Sequence, residues 1–77
     1  MKIQVLGPGC QNCVTLESRT RRALAACGRE ATVEKVTDYA EIARLGVMKT
    51  PGLVIDGKVV VSGRVPSVEE IQALLIG

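Results

Sequence analysis

Cys10 and Cys13 offer this chain the most chemistry, because only two residues separate them in Gly9-Cys10-Gln11-Asn12-Cys13. At the start of a helix, positions i and i+3 share a side, so the two sulfurs can approach disulfide distance with little backbone movement. Cys10 would occupy the N-cap or first turn, where unpaired N–H groups and the positive dipole end stabilise a thiolate. Its pKa would fall below the free value of ~8.5, making it the nucleophile at neutral pH. Cys13, one turn deeper on the core-facing arc, would be the thiol that resolves a mixed disulfide. Two thiolates also suit a soft metal or metalloid such as Cu(I) or arsenite. The blandest alternative is a pair of core cysteines or a local staple, and a staple over so short a loop stabilises poorly. A disulfide acting only as the switch of an interaction module is a further alternative. Across a continuous helix Cys27 would lie ~21 Å from Cys13 at ~1.5 Å per residue, far beyond disulfide reach. It reads as a small core hydrophobe beside Leu24, with a third metal ligand or an intermolecular disulfide as alternatives.

The absences narrow the chemistry further. The chain has no His, so imidazole cannot serve as base, proton shuttle or metal ligand. It has no Trp or Phe, and Tyr39 is its one aromatic residue, so platforms for stacking nucleic-acid bases are missing. Ten Lys and Arg against eight Asp and Glu leave a net charge of +2, too little to imply a polyanionic partner. Seventy-seven residues fit one domain, residues 1–77, and exclude a two-domain enzyme or a large enclosed substrate cavity. Three cysteines with one close pair do not read as a secreted disulfide framework. The apolar run ending at Leu6 is too short for a signal peptide, and no stretch approaches the ~20 residues of a membrane span. The expected location is a reducing cytoplasm, with no membrane and no nucleic-acid partner.

The elements that must position the cysteine pair follow from pattern. Lys2–Leu6 is a short β-type run, broken by Gly7-Pro8-Gly9. A helix should begin near Cys10 or Gln11 and run to about Cys27, with Gly28 as a left-handed cap. At 100° per residue Cys13, Leu16, Thr20, Leu24 and Cys27 share one arc, while Ser18, Arg19 and Arg22 face solvent. Ala31–Val36 reads as a strand, and Asp38 should cap a short helix, Tyr39–Leu45, closed by Gly46. Leu53–Ile55 and Val59–Val61 flank Asp56-Gly57-Lys58, a strong hairpin signal. Both runs are nearly all apolar, as in strands covered on both faces. Ser67 with Glu70 is a capping box before a last helix striped by Ile71, Leu74 and Leu75. Thr50-Pro51, just before an apolar strand, is either an ordinary trans turn or a cis bond. The order is β-α-β-α-β-β-α. It predicts an α/β fold with a four-stranded mixed sheet and helices on both faces, strands one and two being parallel.

The chain resembles the small thioredoxin-like, or glutaredoxin-like, redox-active disulfide proteins of prokaryotes. The resemblance rests on Lys2-Ile3-Gln4-Val5, then Gly7-x-Gly9-Cys10-x-Asn12-Cys13, Pro51-Gly52-Leu53-x-Ile55-Asp56-Gly57, and Gly63-Arg64-Val65. It implies a minimal thioredoxin-like fold over nearly the full length, with Cys10 and Cys13 as a reversible disulfide and Pro51 as a cis-proline facing them. Residues bordering a substrate would be Gly9, Gln11, Asn12, Thr50 and Pro51. The implied activity is thiol–disulfide exchange on protein or small-molecule disulfides, recharged by a thioredoxin-reductase-like or dithiol electron donor, with no cofactor and no metal. Gly9 stands where thioredoxin carries an aromatic residue, and Gln11-Asn12 replaces its Gly-Pro. The first strand holds no acidic residue to take a proton from Cys13; Lys2 and Gln4 are its only polar residues. Small heavy-metal domains also open strand, Gly-x-x-Cys-x-x-Cys, helix, but they run βαββαβ and end in a strand, whereas this chain ends in a capped helix.

Overall fold

A computed structural model describes residues 1–9 and 11–76. Strand β1 (Lys2–Leu6) leads to helix α1 (Gln11–Cys27), β2 (Thr32–Val36), α2 (Tyr39–Arg44), β3 (Gly52–Ile55), β4 (Lys58–Ser62) and α3 (Val68–Ile76). The sheet order is β2-β1-β3-β4. β1 runs parallel to β2, with Leu6 opposite Val36, and antiparallel to β3, with Leu6 opposite Gly52. The fold is the expected four-stranded mixed α/β sheet with three helices.

Side chains alternate across the pleat and so build two cores. On one face Ile3, Val5, Leu53 and Val61 meet Leu16, Ala23 and Leu24 of α1 and Ile71 and Leu75 of α3. On the other, Leu6, Val36 and Val54 meet Ile42 of α2 and Val47. Asp38 caps α2 as its spacing predicts, its Oδ1 accepting from the Ala40 N–H at 2.9 Å. The hairpin turn is Asp56-Gly57, with φ of 50° and 82°, the two positive values of a type I′ turn.

Four details depart from the sequence pattern. β4 is an edge strand rather than one covered on both faces: Lys58 and Val59 are exposed and only Val61 is fully buried. A bulge at Val60 lets Val54 pair with Val59 while Leu53 pairs with Val61. Cys27 is half-buried rather than a core residue, because it closes α1 beyond the reach of the sheet. Arg19 is not on a wholly solvated face, since its guanidinium donates to the Pro66 carbonyl at 3.0 Å and ties α1 to the approach of α3. The capping box is half made. Ser67 Oγ accepts from the Glu70 N–H at 3.1 Å, but the Glu70 carboxylate pairs with Arg64.

Candidate active site

The end of β1 delivers the chain to the cysteine pair. The Gly7 N–H donates to the Val36 carbonyl at 2.9 Å, prolonging the β1–β2 ladder by one residue before the Gly7-Pro8-Gly9 bend. Gly9 has φ of +90°, a backbone conformation that side-chain-bearing residues rarely adopt. α1 opens at Gln11, and its first turn carries Cys13, which is 5% exposed and disulfide-bonded. Cys27 is a free cysteine at the opposite end of the same helix. Cys10, the expected nucleophile, lies outside the described residues.

Gly7 proves to be part of the site. A Cβ placed on it would stand 2.2 Å from Cys13 Sγ and 3.8 Å from Thr50 Cβ. The backbone at the end of β1 therefore passes directly beneath the Cys13 sulfur, and no side chain fits between them. The Thr50–Pro51 peptide bond is cis. Pro51 is buried, and its carbonyl accepts from the Gly63 N–H at 2.9 Å. Gly63 has φ of +77°, and a Cβ there would meet Lys49 Cβ at 2.9 Å, so the loop is packed from both sides.

Beside Cys13 lies a hollow of about 80 Å³, lined by Val5, Gly7, Gly9, Cys13, Val14, Glu17, Lys35 and Thr37. Its polar side chains are Thr37 and the ion-paired Glu17 and Lys35. Glu17, one turn along α1 from Cys13, has a side chain only 15% exposed. Its Oε1 is 3.1 Å from Lys35 Nζ on β2, and its Oε2 is 3.1 Å from Arg21 on the next turn of α1. Desolvation opposes its charge, but hydrogen bonds and the positive charges of Lys35 and Arg21 outweigh it, so the carboxyl sits below its ordinary value.

Of the expected site residues, Gly9 and Cys13 share this hollow, and Thr50 approaches Cys13 across Gly7. Gln11 and Asn12 are exposed in the first turn of α1 and do not line it. The sequence reading missed Glu17 and Lys35. Glu17 stands i+4 from Cys13, a spacing that places it on the same helix face. Nothing local announces Lys35, because its partner sits on another element. Among the described residues no three His, Cys, Asp or Glu side chains gather as a metal site would require. No helix among them is long and apolar enough to cross a membrane.

A mixed sheet ordered β2-β1-β3-β4, a disulfide-bonded cysteine in the first turn after β1 and an X-Pro loop brought against it together define a small thioredoxin-like protein. Comparison with known proteins gives the same answer. The family described as "Thioredoxin domain" matches residues 1–76, and the chain belongs to that family. It is 43% identical over 75 residues to a thioredoxin of Methanothermobacter thermautotrophicus, covering 97% of each chain. It is 40% identical over 70 residues to a thioredoxin of Methanocaldococcus jannaschii, covering 91% of this chain and 80% of that one.

Proposed function

We propose that the chain is a thiol–disulfide oxidoreductase with Cys10 as nucleophile and Cys13 as resolving thiol. The observation that carries this reading is the disulfide-bonded Cys13 in the first turn of α1, in a chain whose Cys27 is free and whose relatives are thioredoxins. In the reduced protein the Cys10 thiolate attacks one sulfur of a target disulfide. That S–S bond breaks, and the first target sulfur leaves as a thiolate that takes a proton from water. Cys13 then loses its proton to water and attacks the Cys10 sulfur, expelling the second target sulfur as a thiolate. Two electrons have passed to the target, and the protein holds a Cys10–Cys13 disulfide. A dithiol or a reductase-type donor returns the two electrons.

Gly9, Gln11, Asn12, Thr50 and Pro51 would border the substrate. An extended peptide beside the Thr50-Pro51 loop could bond through its main chain, as in strand addition. The test is reduction of a protein disulfide and a small aromatic disulfide by the purified, metal-free protein. Cys10→Ser should abolish turnover, and Cys13→Ser should accumulate a mixed disulfide heavier by one half of the substrate. Full activity in Cys10→Ser would overturn the assignment.

A further inference from the structure

We propose that Lys49, bedded on Gly63 at the rim of the Thr50-Pro51 loop, determines substrate choice by favouring disulfides that carry a carboxylate beside the reacting sulfur. The proposal rests on the oxidoreductase reading above and names its substrate class. The approach to the cis bond is accessible, with Met48 88% exposed and Lys49 exposed as well. Consecutive side chains there part to opposite sides. Thr50 turns inward, its Cβ 3.8 Å from the carbon that Gly7 lacks, beside Cys13. Lys49 lies along Gly63, where an added Cβ would stand 2.9 Å from Lys49 Cβ, 3.3 Å from its Cδ and 3.7 Å from its Cγ. Gly63 is itself fixed, because its N–H donates to the Pro51 carbonyl at 2.9 Å. Any side chain at position 63 would displace the lysine stem. The glycine therefore gives that stem a bed as far as Cδ, and only Cε and Nζ are left to swing.

The charge so held has no partner of its own. Among the described residues Lys49 makes no ion pair. Arg64, next after Gly63, is closed on Glu70, so that pair adds no net charge. Arg19 reaches the same loop at Pro66, where it meets a neutral carbonyl that leaves its charge uncancelled. Glu69, exposed in the first turn of α3, is the unpaired carboxylate of this stretch. A substrate strand laid along Thr50 would pass Lys49 one residue away from the target sulfur. Opposite residues of paired strands hold their Cβ atoms ~4.5–5.5 Å apart, a gap that a lysine and an acidic side chain bridge. Lys49 takes no part in the transfer of electrons; it changes which disulfide reaches the cysteine pair.

The test is a ratio of rates, taken in a Cys27→Ser background so that the third thiol does not contribute. The reduced protein is mixed with dithiobis(nitrobenzoate), which bears two carboxylates, or with dithiodipyridine, which is neutral, and thiol release is followed at pH 7. Lys49→Met should lower the anionic-to-neutral ratio of second-order rate constants about twofold to fivefold, as expected of an exposed charge pair. Lys49→Arg should restore most of it, and Lys49→Glu should lower it further. About 0.5 M sodium chloride should narrow the difference between the unaltered chain and Lys49→Met. Glu69→Gln should move the ratio much less than Lys49→Met does; an equal and opposite shift would mean that the overall field of this end sets the preference, and would overturn the role of Lys49. A second pair of probes, disulfide peptides with Asp or Asn beside the cysteine, identifies the source of the carboxylate. A Lys49 effect on the peptides assigns it to an extended protein target, and one confined to dithiobis(nitrobenzoate) assigns it to a small disulfide acid. Ratios unchanged by Lys49→Met in both pairs would overturn the proposal while leaving the oxidoreductase reading in place. Release of no thiol from any probe would overturn that reading, and this one with it.

Discussion

Gly7 shows how much a site can depend on a side chain that is missing. With no Cβ there, β1 can end directly under the Cys13 sulfur; adding one brings carbon and sulfur to 2.2 Å, closer than nonbonded atoms approach. The next contact, Cys13 Cβ at 3.2 Å, means that rotating the sulfur away would relieve only part of the crowding. A disulfide-bonded Cys13 is not free to rotate. Gly7→Ala should therefore destabilise the oxidised protein by ~1–3 kcal/mol, the usual cost of overpacking a close-packed site. The check is urea denaturation followed by far-UV circular dichroism. The same substitution should cost clearly less in a Cys13→Ala background, where the sulfur is gone. Equal costs in both backgrounds would mean that the glycine serves the turn and not the sulfur. Gly7 was visible in the sequence only as a strand breaker, because what a glycine makes room for belongs to another element. Cys13 was legible because spacing alone put it on the buried arc of α1 with Leu16 and Thr20.

At the scale of elements, the sequence disclosed most where a local rule has one solution. Asp56-Gly57 between β-branched runs forces a type I′ hairpin, and the positive φ values at both residues are that turn. Asp38 and Ser67 start helices because each supplies an acceptor to an unpaired N–H. What local rules could not disclose is which strand lies at an edge, since Val59-Val60-Val61 looks the same in the middle of a sheet as at its margin. Lys35 escaped for a related reason: the pairing of β2 with α1 is set by the whole packing and not by neighbours in sequence. The edge position of β4 makes a direct prediction from two identical substitutions. Val61 is 2% exposed and packs in the core with Leu53, Ile71 and Leu75, whereas Val59 is 36% exposed. Val61→Ala should cost about 2 kcal/mol through lost burial and a residual cavity, and Val59→Ala under about 0.5 kcal/mol. Urea midpoints of the two variants check this. Matching losses would place both residues in the core and contradict the edge assignment.

Over the whole molecule, ion pairs bridge elements that the cores already bring together. Lys35 and Glu17 join β2 to α1, Lys2 and Glu34 join β1 to β2, and Arg64 and Glu70 join the last loop to α3. Two of these carboxyls sit below their ordinary value of 4.5. For Glu70 the hydrogen bond from Arg64 is the main cause, with desolvation opposing it and the guanidinium charge adding to it. For Glu17 desolvation is outweighed by its two cations. A carboxyl with a lowered folded-state value binds its proton less readily in the fold than in the unfolded chain. As pH falls below about 5 the unfolded state therefore takes up protons first, and stability declines until the folded carboxyls are protonated as well. Above that range the contribution of the two pairs is fully present and does not change with pH. The urea midpoint should thus be level from pH 7 to about 5 and fall below it. A Glu17→Gln, Glu70→Gln protein should start lower at pH 7 and fall less steeply, so that the two curves converge in acid. The Arg64–Glu70 pair is largely solvent-exposed, so raising the salt past the point where screening acts within ~10 Å should narrow the gap at pH 7. Parallel curves from pH 7 to 3 would show that neither carboxyl is linked to folding, and that other groups set the acid limit of the protein.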